Sequence, residues 1–175
     1  PIPRTLATTA YADLDVSAID ELPPGRTPVR TVVAAETRRH EVVARIEAAC
    51  GEGRQAYWVC PLIDESEELR CQAAEETAAT LTAALPGLRV TGIDCHIGSQ
   101  ITELSPFLDA FDRVLALVDA LAARGIAVQH IDAGGGIGIA YQGETPPEFS
   151  VYAAAMRAKI VGRDIKLVFE PGRAL

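Results

Sequence analysis

Three short motifs in the C-terminal half each follow a short apolar run that predicts a β-strand. They are His96–Gln100 (HIGSQ), Gly134–Gly138 (GGGIG) and Glu170–Arg173 (EPGR). Their first residues lie 38 and 36 positions apart, about the length of one strand followed by one helix. Because the carboxyl ends of parallel strands meet at one edge of a sheet, this spacing predicts that the three motifs lie together there.

Apolar periodicity along the chain predicts strands and helices in alternation. The strands are predicted at 29–35, 55–62, 88–93, 126–133 and 165–169. The helices are predicted at 38–50, from Asp64 to about Leu85, from Ser105 to a stop at Gly125, and near 150–161. This order indicates an α/β protein with a mainly parallel sheet of about five strands, either a partial β/α barrel or an open doubly wound sheet.

The predicted helices carry apolar residues at helical spacing, which predicts their buried faces. The expected inward residues are Leu69, Ala73, Leu81 and Leu85 in the second helix, Phe107, Phe111, Val114, Val118 and Leu121 in the third, and Tyr152, Met156 and Ile160 in the fourth.

Charge and composition limit the function classes. The net charge is −8, and residues 1–90 (nine Arg, fourteen acidic) and 91–175 (seven basic, ten acidic) are both acidic. A free-standing nucleic-acid binder is normally basic, so nucleic acid is an unexpected partner, although amides and single arginines can bind phosphate locally. Absence of a long apolar run or a leader pattern predicts a cytoplasmic protein without a membrane partner. The four cysteines form no CxxC, so we expect reduced thiols rather than disulfides or a metal site.

The three motifs together offer the chemistry that a phosphorylated aromatic cofactor needs. An imidazole can stack on a ring, glycine N–H groups can approach a phosphate closely, and a guanidinium pairs with oxyanions. A carboxylate can hold the proton on a pyridine nitrogen and so maintain an electron sink. Each motif alone has a structural alternative, namely a hydrogen-bonded histidine or a turn.

Residues 91–175 resemble the barrel domain of the diaminopimelate decarboxylases, the pyridoxal-phosphate enzymes of lysine biosynthesis. The resemblance is carried by residues 92–100, 132–138 and 168–173. It implies pyridoxal 5′-phosphate as cofactor, with a small phosphorylated ligand or an amino acid as partner, and decarboxylation as the reaction. It also implies the cofactor-binding residues: His96 stacking on the ring, Ser99, Gly134, Gly135 and Gly136 at the phosphate, Glu170 at the pyridinium nitrogen, and Gly172 with Arg173 at the phosphate or the substrate carboxylate.

The same resemblance implies a lysine that forms a Schiff base with the cofactor, and the sequence offers only Lys159 and Lys166. Lys159 lies on a predicted helix, and Lys166 lies about 13 Å from Glu170 at the opposite end of a predicted strand, at about 3.3 Å per residue. We therefore expect no catalytic residue and a fragment that is inactive alone.

Residues 1–90 resemble a RecG-type ATP-dependent DNA helicase, on residues 1–6, 20–28 and 55–67. No phosphate-binding G-x-x-x-x-G-K-[ST] loop is present. Arg38–Arg39 is interpreted as a solvated helix start, with a DNA phosphate contact as the alternative. Tyr57 and Trp58 are interpreted as core residues, with base stacking as the alternative.

We interpret the chain as a chimera with its junction near residues 88–92, so that 1–90 and 91–175 are expected domains able to share one α/β unit. Three functions stay open: a partial pyridoxal-phosphate site, a helicase fragment with a DNA-binding remnant, and a folded hybrid without function. An unpaired sheet edge also makes a homo-oligomer an expectation.

Overall fold

The computed structural model describes residues 20–60 and 67–174. The chain divides into two compact units, one up to Arg39 and one from His40 to Leu175. In the first unit, the described residues form one short 3-10 helix, Glu36–Arg38, after which Arg39 pairs with Glu36 at 3.1 Å. The strand predicted at 29–35 is wrong, since Val29 and Val33 are 87% and 94% exposed and form no ladder.

Four α-helices lie where periodicity predicts them within the described ranges. They are α1 (Arg39–Gly51), α2 (Glu67–Ala84), α3 (Ser105–Ala123) and α4 (Phe149–Lys159). The start predicted for α2 at Asp64 and the side chain of Leu69 lie outside the described residues. In the described part of the chain, no helix has the length and apolar character needed to cross a membrane.

The described residues form one parallel sheet, which confirms the α/β class, with three strands instead of about five. The strands are β1 (Gly92–Asp94), β2 (His130–Asp132) and β3 (Lys166–Val168), in the order β1-β2-β3. The buried strand predicted at 55–62 is not formed by residues 55–60, and 61–62 lie outside the described residues. Tyr57 and Val59 are 84% and 79% exposed, so the prediction that Tyr57 lies in the core is wrong. A β-forming run needs a paired neighbour, and residues 55–60 have none among the described residues.

Strand order and helix placement distinguish the two predicted architectures. Successive strands are neighbours without a reversal of order. Residues of α2, α3 and α4 all pack in one cluster with Ile131 of β2, so the helices cover the same face of the sheet. A doubly wound sheet would place helices on both faces, whereas one-sided cover in sequential order is the arrangement of a β/α-barrel segment.

The core is built on the predicted apolar face of α3. All five expected residues of this helix are buried, and Ile131 beneath them is fully buried. Tyr152 of α4 packs edge to face on Phe107, with ring centroids 4.9 Å apart. Pro106 lies in the first turn of α3, and Gly125, with φ 77°, ends it while Ile126 N–H bonds back to the Leu121 carbonyl.

Candidate functional site at the carboxyl edge of the sheet

The loops that follow β1, β2 and β3 are hydrogen-bonded to one another. We call them the first loop (95–101), the second loop (133–139) and the third loop (169–173). Ile101 N–H donates to the Gly136 carbonyl at 2.9 Å, which joins the first loop to the second. Glu170 N–H donates to the Gly134 carbonyl at 2.9 Å, which joins the third loop to the second. The structure therefore brings the three motifs together at one edge, as their spacing predicts.

The second loop lies in the middle, and its three glycines allow the flanking loops to approach. A Cβ built on Gly135 would lie 2.1 Å from the Glu170 carbonyl oxygen, and one on Gly136 would lie 2.1 Å from the Gly98 carbonyl oxygen. A Cβ on Gly134 would lie 2.7 Å from the Cys95 carbonyl oxygen. Real Cβ atoms essentially never approach within 3.0 Å. The glycines are thus required for packing of backbone on backbone, in addition to any role toward a ligand.

Two of the three glycine N–H groups have acceptors within the protein. Gly134 N–H donates to Asp132 Oδ1 at 2.9 Å, and Gly135 N–H donates to His96 Nδ1 at 3.3 Å. Gly136 N–H has no acceptor within the described ranges. Asp132 is a site residue that sequence reasoning did not single out, although an aspartate two residues before a glycine is typical of an Asx-turn.

His96 lies on the exposed side of the edge. Because its Nδ1 accepts the Gly135 N–H, the proton of the neutral ring lies on Nε2, which points the ring's donor away from the second loop. Ser99 is also exposed, three residues further along the first loop.

The third loop supplies one carboxylate, that of Glu170, and one guanidinium, that of Arg173. The side chain of Glu170 is exposed, and a Cβ added to Gly172 would meet no atom within 4 Å. Arg173 lies in the short 3-10 helix Gly172–Ala174, and its Nη1 donates to Gln100 Oε1 at 3.3 Å. Among the described residues no carboxylate forms an ion pair with Arg173.

Below the loops lies a small cavity. The cavity, which Cys95, Phe107 and Asp132 help to line, has a volume of about 10 Å³, which is room for one water at most. Nearby, burial raises the pKa of Tyr152 to about 12, helped by the charges of Asp132 and Cys95. The Tyr152 hydroxyl is buried, and no group of the described residues forms a hydrogen bond with it. This cavity is too small for a cofactor, so the candidate site is the open edge.

Neither lysine lies at the carboxyl edge. Lys159 ends α4, where its Nζ contacts both carboxylate oxygens of Asp112 at 2.6 and 2.8 Å. Lys166 begins β3 in register with His130, at the opposite end of the strand from Glu170. No three His, Cys, Asp or Glu side chains of the described residues are grouped as a metal site.

Comparison with known proteins gives two kinds of match. The family model of the pyridoxal-dependent decarboxylases, pyridoxal binding domain, matches residues 30–175. Diaminopimelate decarboxylase of Pseudomonas aeruginosa is 50% identical over 113 residues, which cover 65% of this chain and 25% of that protein. The ATP-dependent DNA helicase RecG of Pasteurella multocida is 52% identical over 133 residues, which cover 75% of this chain and 19% of that protein.

A solved structure agrees with the decarboxylase match. Diaminopimelate decarboxylase from Helicobacter pylori, complexed with L-lysine, is 31% identical, with a TM-score of 0.51 over 57% of this chain and 26% of that chain. Both resemblances expected from the sequence are confirmed. The family match begins at residue 30, upstream of the boundary expected near residue 91. The chain spans a quarter or less of the length of the two relatives named above.

Proposed function

Because this chain belongs to the pyridoxal-dependent decarboxylase family, by a match that covers residues 30–175, we propose that its carboxyl edge binds pyridoxal 5′-phosphate. The observation that carries the proposal is that the loops bearing His96, Glu170 and Arg173 are hydrogen-bonded together at one edge of the sheet, where the Gly136 N–H has no acceptor among the described residues. A guanidinium without a carboxylate partner among the described residues, at the same edge as a backbone N–H without an acceptor there, suits a phosphate.

Each group at the edge has a separate task in this proposal. Arg173 and the Gly136 N–H bind the phosphate, with Ser99 and Gly172 bordering it. The exposed Glu170 carboxylate holds a proton on the ring nitrogen, and His96 stacks on the ring face. Asp132 and His96 Nδ1 hold the second loop through the Gly134 and Gly135 N–H groups. When bound, the cofactor supplies an electron sink for cleavage of a bond at an amino acid's α-carbon.

We further propose a diaminopimelate-like amino acid as the substrate class, a lysine-biosynthetic origin and a cytoplasmic location. The named relatives support the first two, since one structure holds L-lysine. Alone, the chain is proposed to be inactive: Lys159 is paired with Asp112, and Lys166 lies at the far end of β3. These positions support the proposal that neither lysine carries the cofactor.

Binding is tested by thermal melting of the full chain with increasing pyridoxal phosphate. A ligand that binds only the folded state raises the melting temperature, by an amount that grows with concentration. The Glu170→Ala, Arg173→Ala double variant is expected to lose this shift, and Arg157→Met, an exposed arginine at the end of α4, is expected to keep it. No shift in the wild type, or an equal shift in the double variant, contradicts the proposed site.

Attachment is tested separately by borohydride reduction and peptide mass mapping. We expect no cofactor on Lys159 or Lys166 at stoichiometric concentration. A stable adduct on either lysine would contradict the proposed inactivity and show that the lysine reaches the edge.

The RecG similarity favours a second candidate function, a helicase-derived segment that binds DNA. Its described arginines near α1 are exposed, and Arg39 is paired with Glu36. This candidate predicts binding to branched DNA that weakens steeply with salt, because phosphate contacts release counterions. Gel-shift titrations at two salt concentrations test it, and absence of binding at low salt removes it.

A further inference from the structure

One side chain of the first loop contacts both other loops. The side-chain amide of Gln100 forms two hydrogen bonds with the backbone of Ile139: Nε2 donates to the Ile139 carbonyl at 2.6 Å, and Oε1 accepts from the Ile139 N–H at 3.3 Å. The same Oε1 accepts a hydrogen bond from Arg173 Nη1 at 3.3 Å. Gln100 therefore links the ends of the second and third loops through one neutral group.

The backbone of Gln100 indicates that this side chain is required. Its φ is 62°, and no other non-glycine residue in the described ranges has a positive φ. A residue with a Cβ adopts this conformation at a cost, whereas glycine adopts it freely. Glycine has no side-chain amide to reach Ile139 and Arg173, so the contacts of the side chain explain why glutamine occupies a strained position.

The neutrality of Gln100 also matters for Arg173. Some other cations of the described residues are held by carboxylates, as Lys159 is by Asp112 and Arg124 by Glu75. A carboxylate at position 100 would hold the guanidinium equally well, but it would neutralise the charge and repel an incoming phosphate. An amide orients the guanidinium and leaves its charge for a ligand.

We propose that Gln100 is a positioning residue that holds Arg173 at the carboxyl edge as an uncompensated cation for the phosphate of the cofactor. The identity of that anion rests on the proposed function. The positioning itself depends only on the contacts of Gln100.

The test compares pyridoxal phosphate with pyridoxal, which lacks the phosphate, in titrations of the full chain followed by cofactor fluorescence. Gln100→Met is expected to weaken pyridoxal phosphate about tenfold, the worth of a hydrogen bond to a charged group, and to leave pyridoxal unchanged. In the Arg173→Met background, Gln100→Met is expected to add no further loss, because its effect passes through Arg173. Gln100→Glu is expected to weaken pyridoxal phosphate more than Gln100→Met does. The matched control is Gln129→Met, an exposed glutamine at the other end of β2.

Three results would overturn the inference. They are equal losses for both ligands, additive losses with Arg173→Met, and wild-type affinity in Gln100→Glu. If Gln100→Met does not fold, Gln100→Asn replaces it, since asparagine tolerates a positive φ but is too short to reach Arg173.

A ligand-free measurement separates this inference from the proposed function. If the wild type binds neither pyridoxal phosphate nor pyridoxal, the proposed function is wrong. NMR of the ligand-free protein then tests whether Gln100 positions Arg173. Gln100→Met must shift the side-chain resonance of Arg173 and speed hydrogen exchange at the Ile139 amide. Unchanged signals at both would refute the positioning role.

Discussion

Gly135→Ala is the sharpest perturbation of the three-loop edge. The new Cβ would lie 2.1 Å from the Glu170 carbonyl oxygen, so the third loop must retreat by at least about 0.9 Å to reach the 3.0 Å minimum. Gly135 does not have a positive φ, so the effect is steric and free of backbone strain. Overpacking of this kind costs about 1–3 kcal/mol, and loss of the adjacent bond from Glu170 N–H to Gly134 adds about 1 kcal/mol. The expected destabilisation is therefore roughly 2–4 kcal/mol.

Thermal melting followed by circular dichroism measures this effect. For a chain of this length, the destabilisation corresponds to a fall in melting temperature of roughly 5–15 °C. Gly87→Ala and Gly172→Ala are the matched controls, because a Cβ at either position meets no atom within 4 Å. Both controls are expected to melt within about 3 °C of the wild type, since alanine at an unstrained site changes stability by about 1 kcal/mol or less. If Gly135→Ala melts with the controls, Gly135 does not lie against the Glu170 carbonyl oxygen.

Three further predictions concern two core residues, Tyr152 and Leu121, and one lysine, Lys159. Burial raises the pKa of Tyr152 from 10.0 to about 12, so the folded protein keeps this proton to higher pH than the unfolded chain. The stability that this proton gives below pH 10 is therefore lost as the pH rises to 12, by on the order of 2–3 kcal/mol. Urea unfolding across that range should show that the free energy of unfolding falls less steeply with pH in Tyr152→Phe than in the wild type. An equally steep fall in that variant would exclude Tyr152 as the cause of the pH dependence. Leu121→Ala, at a side chain 2% exposed, should cost about 2–5 kcal/mol, read as a lower urea midpoint, and a cost below about 1 kcal/mol would contradict its place in the core. Lys159→Met removes the ion pair with Asp112 at the end of α4, so it should change the free energy of unfolding by less than about 1 kcal/mol. The rise in melting temperature caused by pyridoxal phosphate should stay the same. Loss of that rise would mean that Lys159 contributes to cofactor binding.

Helices were predictable from local sequence because their hydrogen bonds and apolar faces are set within one segment. The apolar spacing of α3 and the stop at Gly125 were sufficient to predict both its range and its buried face. Strands were less predictable, since a ladder needs a second chain segment. The run at 55–60 has the composition of a strand, but with no described neighbour beside it, Tyr57 and Val59 stay exposed.

The sequence alone determined that the three motifs meet, because parallel strands at regular spacing end at one edge. Only the tertiary structure decided how each group is used. It paired Gly134 N–H with Asp132, Gly135 N–H with His96, and Arg173 with Gln100. These partners depend on distances between loops that are distant in sequence. Such distances arise from packing of the whole sheet on its helices, which a single chain segment does not encode.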